Sequence, residues 1–221
     1  MERKIIVTGD NSKTLLIPEL DETYHSVHGA LNEARHVFIN NGFESIDKSN
    51  VAVFELGFGT GLNLLVTLEF LSKKDIKVDY TSIEKYPLPH ETIEKMDYDR
   101  LIDAKYAEVY IKAHQVEWNK KIGLTEKLNL TKVDADVSIY EMEKEQYDII
   151  YFDAFGPRVQ PELWSVPVLK KMFESLHAPG RLVTYCAQGQ FKRNLKAAGF
   201  EVLNVPGPPG KREMTIGLKT H

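Results

Sequence analysis

Val51-Ala-Val-Phe-Glu-Leu-Gly-Phe-Gly-Thr-Gly-Leu62 is the stretch whose reading decides the fold. VAVFEL is a short apolar run, as expected of a strand buried on both faces. Gly57, Gly59 and Gly61 follow at once, and glycine permits a sharp turn with close approach of backbone to a ligand. An apolar helix, Leu62 to Leu71, comes next, and its N-terminus offers free N–H groups. Downstream, VDYTSIE ending at Glu84, LNLTKVDADV (residues 128–137), YDIIYFDAF (147–155) and RLVTYC (181–186) read as further strands. Between them lie a polar helical stretch after Pro87, a helix assigned to residues 100–127 and a helix from Pro161 to His177; Gln190 to Ala198 forms another helix after RLVTYC. Strands alternating with helices predict an α/β fold with a parallel sheet and helices on both faces. Phe200 to Val205 and Met214 to Lys219 are joined by PGPPGKRE with no helix, so these two strands are expected to pair antiparallel at the sheet edge. Upstream, Arg3 to Thr8 and Thr14 to Ile17 flank the turn residues GDNS and predict a β-hairpin. A helix with Ala30, Leu31, Ala34, Val37 and Phe38 on its apolar face follows, ended by Asn40-Asn41-Gly42. Residues 1–45 are therefore read as an elaboration on an α/β unit of residues 46–221.

The chain has 221 residues, 43% hydrophobic and 27% charged, with a formal charge of −4. This length supports a full hydrophobic core. The charge excludes a globally basic nucleic-acid binder but leaves room for a local basic face. The single cysteine, Cys186, excludes an intramolecular disulfide and makes a reducing, cytoplasmic setting the default expectation. No apolar run approaches the roughly 18–20 residues of a membrane span, and MERKIIVTGD lacks the apolar stretch of a secretory signal.

A dinucleotide-binding turn would read G-x-G-x-x-G. Here the third glycine comes one position early, and Leu62 stands where that fingerprint needs glycine. G-x-G-x-G with an acid two residues ahead instead resembles the cofactor loop of class I S-adenosylmethionine methyltransferases. The expected fold is then Rossmann-like: a mostly parallel seven-stranded sheet with an antiparallel edge strand, plus the N-terminal hairpin and helix. That cofactor has no pyrophosphate; it has an ammonium that a carboxylate such as Glu55 can hold. Glu84 ends the second strand, where a carboxylate accepts ribose hydroxyls. Asp134 or Asp136 could accept from the adenine amino group, and Asp136 is preferred as nearer the strand end. Asp153 ends the fourth strand, where ligands of open α/β sheets bind. A carboxylate there can align an amine and take its proton; the competing reading is an Asp that caps the following turn. Phe155 and Pro157 could wall the site and stack on a planar base.

FELGFGTGLN, SIEKYPL, FDAFGPRVQPELW, LVTYCAQGQFKRNLKAAGF and PGPPGKREM occur in this order after HSVHGALNEARHVF. Together they resemble the tRNA 5-methylaminomethyl-2-thiouridine methyltransferase family, the methyltransferase half of the MnmC enzymes and its stand-alone MnmD form. The resemblance runs from about Tyr24 to Gly217. It implies methyl transfer from S-adenosylmethionine to the aminomethyl nitrogen on carbon 5 of uridine 34, the wobble base, with or without its 2-thio group. It also implies Glu55, Gly57, Gly59, Gly61, Asn63, Glu84 and Asp136 as cofactor residues and Asp153 as the residue that orients or deprotonates the amine. Tyr24 and His25 fall in a segment that borders the substrate in that family. No second glycine fingerprint follows, so the FAD-dependent activity of bifunctional members is not expected.

The expected partner is the anticodon stem-loop of tRNA, with no membrane and a monomeric chain. Lys211 and Arg212, in a Gly/Pro loop at the cofactor end of the sheet, are the leading phosphate contacts. Lys192, Arg193, Lys196 and Arg181 are further candidates. His25 and His28 have no companions at zinc-like spacing, so no metal is expected. Cys186, Trp118 and Trp164 read as packing residues. Three rivals share some of these features: a methyltransferase or an aminopropyltransferase acting on a small amine, and a non-catalytic tRNA-binding module. The basic loop and the FDAFGP turn favour tRNA, and the intact Glu55, glycines and Glu84 argue against a degenerate module.

Overall fold

The computed structural model describes residues 2–221, apart from the side chains of residues 99, 104 and 105. The chain opens with β1 (Lys4–Val7), β2 (Lys13–Ile17) and β3 (Glu22–Thr23), an antiparallel three-stranded sheet rather than a hairpin alone. Asp10 pins this sheet to the first helix. Its Oδ1 accepts the Ser12 N–H at 3.1 Å, and its Oδ2 accepts the Asn32 N–H at 2.8 Å. That helix is α1 (Ala30–Ala34), which widens into a π-helical stretch over Arg35–Asn40.

The main sheet contains β4 (Asn50–Leu56), β5 (Lys77–Glu84), β6 (Lys121–Gly123), β7 (Leu128–Asp134), β8 (Tyr147–Phe152), β9 (Leu176–Thr184), β10 (Glu201–Pro206) and β11 (Glu213–Lys219). Their spatial order is β10-β11-β9-β8-β4-β5-β7-β6. The five central strands are parallel, and β11 pairs antiparallel with both β9 and β10, as expected from the helix-free connection. β6 is an eighth strand, antiparallel to β7, inside the stretch expected to be helical. That stretch divides into α4 (Ala104–Gln115) and β6; α3 (His90–Glu94) precedes it.

Alternate residues of β4 and β8 supply the two halves of the core. Val51, Val53, Ile149 and Tyr151 pack with Leu64, Leu65 and Leu68 of α2 (Leu62–Leu71). Phe54, Leu56, Ile150 and Phe152 face Leu169 and Met172 of α5 (Val166–Ser175) and Phe191 and Leu195 of α6 (Gly189–Ala198). All six residues of β8 are buried, which is why its sequence reads as an unbroken apolar run apart from Asp148. Asp148 is satisfied by the Ala52 N–H at 2.8 Å and by Lys48 at 2.6 Å.

The helix expected from Pro161 to His177 is in two pieces. A 3-10 turn over Pro161–Trp164 ends at Ser165, whose extended backbone starts α5 afresh with Pro167 in its first turn. β9 then begins at Leu176, earlier than expected. β7 and β8 stop at Asp134 and Phe152, leaving Asp136 and Asp153 on the turns beyond. Ile150, fully buried at the centre of β8, sets a direct test. Ile150→Ala should lower stability by about 2–5 kcal/mol in urea unfolding with an unchanged m value.

Candidate active site

From β4 the chain builds outward through β5 to β7, then returns to β8 on the other side of β4. Connections therefore diverge at the carboxyl ends of β4 and β8, leaving the crevice in which open α/β sheets bind ligands. The glycine turn and Asp153 meet there. Asp153 N–H donates to Leu56 O at 3.3 Å, and Gly57 N–H donates to Ile83 O at 2.9 Å. Gly57 has φ +91°, and a Cβ on it would lie 3.2 Å from the Asp153 carbonyl oxygen. Gly59 has φ +49°, and a Cβ there would lie 3.3 Å from the Tyr24 ring. Both positions need glycine for conformation and for space. The result is a cavity of about 240 Å³ with the glycine turn as one wall.

Glu84, Asp136 and Asp153 line this cavity. Glu84 takes the Gly59 N–H at 3.0 Å and the Tyr86 N–H at 2.8 Å, one on each oxygen. A carboxylate so fixed keeps lone pairs for a diol. Asp136 accepts from the Ser138 N–H and hydroxyl at 2.8 and 2.7 Å, and pairs with Lys85 at 2.7 Å. The Lys85 contact, reinforced by Ser138, holds its carboxyl down at about 2. Asp134 is exposed and does not line the cavity.

Glu55 is fully buried and lies outside the cavity lining, in the strand just before the glycine turn. Ser82 Oγ donates to its Oε2 at 2.6 Å, while its Oε1 has no partner. Burial pushes this carboxyl up to about 8. Asn63 lines the cavity and donates through Nδ2 to Asp153 Oδ2 at 2.8 Å, and its own Oδ1 is likewise without a partner. Burial raises Asp153 to about 7 against the pull of the Asn63 hydrogen bond. An ammonium beside Glu55 would draw its carboxyl back to the ionised form, so that Oε1 and Asn63 Oδ1 could accept two of its three donors. With a glycine wall and the fixed carboxylates of Glu84 and Asp136, the residues present fit S-adenosylmethionine.

Tyr24, His25 and Phe155 line the same cavity. Tyr24 meets Phe155 edge-on with ring centroids 5.0 Å apart. Phe155 is clamped by Gln160 Oε1 on its N–H at 3.1 Å and by Trp164 Nε1 on its carbonyl at 2.8 Å. His25 Nδ1 lies 3.2 Å from Thr14 Oγ1, and burial drives its imidazole down to about 4, so it is neutral at pH 7. Pro157 does not line the cavity. Lys211 turns inward onto Glu33 at 2.5 Å instead of offering itself at the rim, because that buried carboxylate needs a counter-charge. Arg212 is exposed. Arg181 contacts Ser45, away from the cavity, and Lys192 pairs with Glu213 at 3.1 Å. Arg193 holds Gln190 at 2.8 Å, and Lys196 is exposed.

Arg3, Ile17, Lys85, Tyr86, Gln160 and Glu162 also line the cavity and were not singled out from sequence. Lys85 and Tyr86 were within reach, since they directly follow Glu84. Arg3 and Ile17 carry no local signal, because only the docking of the N-terminal sheet brings them there. Among the described residues no group of three or more His, Cys, Asp or Glu side chains could hold a metal ion.

The buried Glu55 carries a pH signature. An acid raised from 4.5 to about 8 leaves stability intact at low pH, and stability is lost as pH climbs from the unfolded value through the folded one. Glu55→Gln removes the titration while an amide oxygen still accepts from Ser82. In the ligand-free protein this variant should melt about 5 °C or more above the wild type at pH 8.5, with the gap closing near pH 4.5.

A family model described as S-adenosyl-L-methionine-dependent methyltransferase matches residues 94–220, more than half of the chain. Similar proteins include the tRNA 5-methylaminomethyl-2-thiouridine biosynthesis bifunctional protein MnmC of Marinomonas sp., 32% identical over 90% of this chain and 31% of that protein. The MnmC of Ralstonia nicotianae is 31% identical over 91% of this chain and 32% of that protein. The chain thus spans about a third of the length of these curated relatives. Among solved structures, MNMC2 from Aquifex aeolicus superposes with a TM-score of 0.75 and 26% identity, covering 100% of this chain and 71% of that one. The spermidine synthase of Thermotoga maritima shares the fold at a TM-score of 0.53 and 12% identity, covering 99% of this chain and 79% of that one. The chain belongs to the S-adenosyl-L-methionine-dependent methyltransferase family, with the matched region of the MnmC proteins among its relatives.

Proposed function

We propose that this protein methylates the aminomethyl nitrogen on carbon 5 of the wobble uridine, or 2-thiouridine, in the anticodon stem-loop of tRNA. The observation that carries the reading is Asp153. It is a carboxyl raised to about 7, hydrogen-bonded to Asn63, in a cavity that also presents the Tyr24–Phe155 aromatic pair. The names of the MnmC relatives, which specify tRNA 5-methylaminomethyl-2-thiouridine biosynthesis, support the tRNA substrate. Glu84, Asp136, Asn63 and the glycine turn would hold the cofactor, with Glu55 behind them as the buried partner for its ammonium. S-adenosylmethionine, when bound, supplies a methyl group on a sulfonium.

The chain's residues must then present a neutral amine. Asp153, as a carboxylate, accepts an N–H of the arriving amine and aims its lone pair away from itself. As the new N–C bond forms the methyl–sulfur bond would break, its electron pair leaving with the sulfur as a neutral thioether; the nitrogen then carries the positive charge, and Asp153 takes the proton it sheds. A carboxyl near 7 suits both tasks, whereas one near 4 would be a weak proton acceptor. Tyr24 and Phe155 offer faces and edges to a planar pyrimidine. His25, being neutral, can hydrogen-bond without repelling the ammonium form of the substrate.

The test of the reading uses labelled S-adenosylmethionine and tRNA from cells lacking this protein, with nucleosides resolved by mass spectrometry. A methyl group on the aminomethyl nitrogen of the wobble uridine is expected; an unlabelled tRNA pool with cofactor binding intact would redirect the search to small amines. Asp153→Ala should lower the transfer rate at least about 100-fold while cofactor affinity in calorimetry changes by only a few-fold. Equal losses of both would make Asp153 a cofactor residue. The wild-type rate should rise with pH through about 7, where Asp153 ionises. Gly57→Ala forces a side chain into a left-handed backbone against the Asp153 carbonyl. It should weaken cofactor binding at least about tenfold in the same calorimetry.

A further inference from the structure

The inward turn of Lys211 has a structural context that extends beyond phosphate binding. Its Nζ lies 2.5 Å from Glu33 Oε1 and 3.9 Å above the centre of the Tyr185 ring. Glu33 sits on α1, and its other oxygen accepts the Ser26 N–H at 2.7 Å, next to His25. Tyr185 lies just beyond β9, and its hydroxyl donates to the carbonyl of Ala154 at 2.8 Å. Ala154 directly follows Asp153. A continuous set of contacts therefore runs from the β10–β11 loop and from α1, through Tyr185, to the backbone that carries Asp153.

We propose that Lys211 and Glu33 are positioning residues for Asp153: together they clamp Tyr185 against the Asp153-Ala154 backbone and set the charge that the Asp153 carboxyl faces. The proposal deepens the methyl-transfer reading above, since Asp153 is its proton acceptor. Neither residue touches the reacting atoms in this scheme. Glu55 of β4, Tyr80 of β5 and Tyr185 beyond β9 are electrostatically coupled to Asp153. Arg3, Tyr24, His25, Glu84, Lys85, Tyr86, Asp136 and Glu162 share its cavity. Glu33 and Lys211 are the charges that act on Asp153 itself, with opposite sign: the carboxylate favours its protonated form, and the ammonium favours its ionised form. The pair as a whole is neutral. It can hold loop and helix in place without displacing the Asp153 equilibrium far, whereas loss of either member would displace it.

The experiment reads that equilibrium directly, independent of any transfer reaction. The carboxyl of Asp153 is titrated by carbon-13 NMR in the full chain, with Asp153→Asn used to assign its resonance. Lys211→Met should move the midpoint up by about one pH unit, and Glu33→Gln should move it down by about as much. The double variant should return to within about a third of a unit of wild type, because the two charges go together. Lys211→Arg, which keeps the charge, should stay close to wild type. In the tRNA assay, the acid limb of the rate profile should follow each midpoint. A purely structural role would lower the rate without moving the limb. Unmoved midpoints in both single variants, or shifts of the same sign, overturn the proposal. Should Lys211→Met fail to fold, Glu33→Gln decides alone, and a midpoint that stays or rises overturns it. If the midpoints move as expected but tRNA takes no methyl group, the substrate reading fails and the positioning role stands.

Discussion

The parallel pairing of β4 with β8 is the constraint on which the rest of the molecule depends. It sets Leu56 beside Phe152, so that the next residues of the two strands, Gly57 and Asp153, leave the sheet side by side. The Asp153 N–H on the Leu56 carbonyl closes that junction. A glycine is then the one residue that can pass beneath the Asp153 carbonyl in the required backbone conformation. Because these contacts are between backbones, the relation of turn to carboxylate survives changes in the surrounding side chains.

Burial is the second organising effect. The apolar strands that hold the sheet together also surround Glu55 and Asp153, and withdrawal of water raises both carboxyls. The opposite holds at the rim, where Lys85 and Ser138 keep Asp136 ionised. The cavity thus runs from a fixed anion at one end to a proton-holding carboxyl at the other. Such a gradient suits a cationic ligand with a polar adenosine end and a reaction that releases a proton. Leaving Glu55 Oε1 and Asn63 Oδ1 unpartnered in the interior is costly for the folded chain.

The N-terminal elaboration is part of the site rather than an ornament to it. Arg3, Ile17, Tyr24 and His25 all contribute to the cavity. Asp10 fastens the small sheet to α1, and Arg158 ties it to the loop beyond β8 by bonding the carbonyls of Leu20 and Asp21 at 2.9 and 3.0 Å. Glu33 draws Lys211 across from the far edge of the main sheet. Segments more than 170 residues apart in sequence, Glu33 and Lys211 among them, therefore meet around one carboxyl.

What could be read from the sequence alone is what local chemistry encodes. Buried parallel strands announce themselves as apolar runs, a tight turn as closely spaced glycines, and a helix-free return as an antiparallel edge. For that reason the parallel core, the antiparallel β10–β11 pair at the sheet edge, the glycine turn, Glu84 at the end of β5 and Asp153 just past β8 were all legible. The tertiary structure alone decided which charges face one another. Lys211 and Arg212 are neighbours of similar type, yet one is drawn to a buried carboxylate on a distant helix and the other stays in water. Pro157 and Phe155 share one turn, yet only Phe155, whose backbone Gln160 and Trp164 hold, lines the cavity. The short β6 carries too few residues for a periodic signal and exists because β7 offers it an open edge. Ion pairing, clamping and edge pairing are all set by contacts between residues far apart in the chain, and no local window of sequence contains both partners.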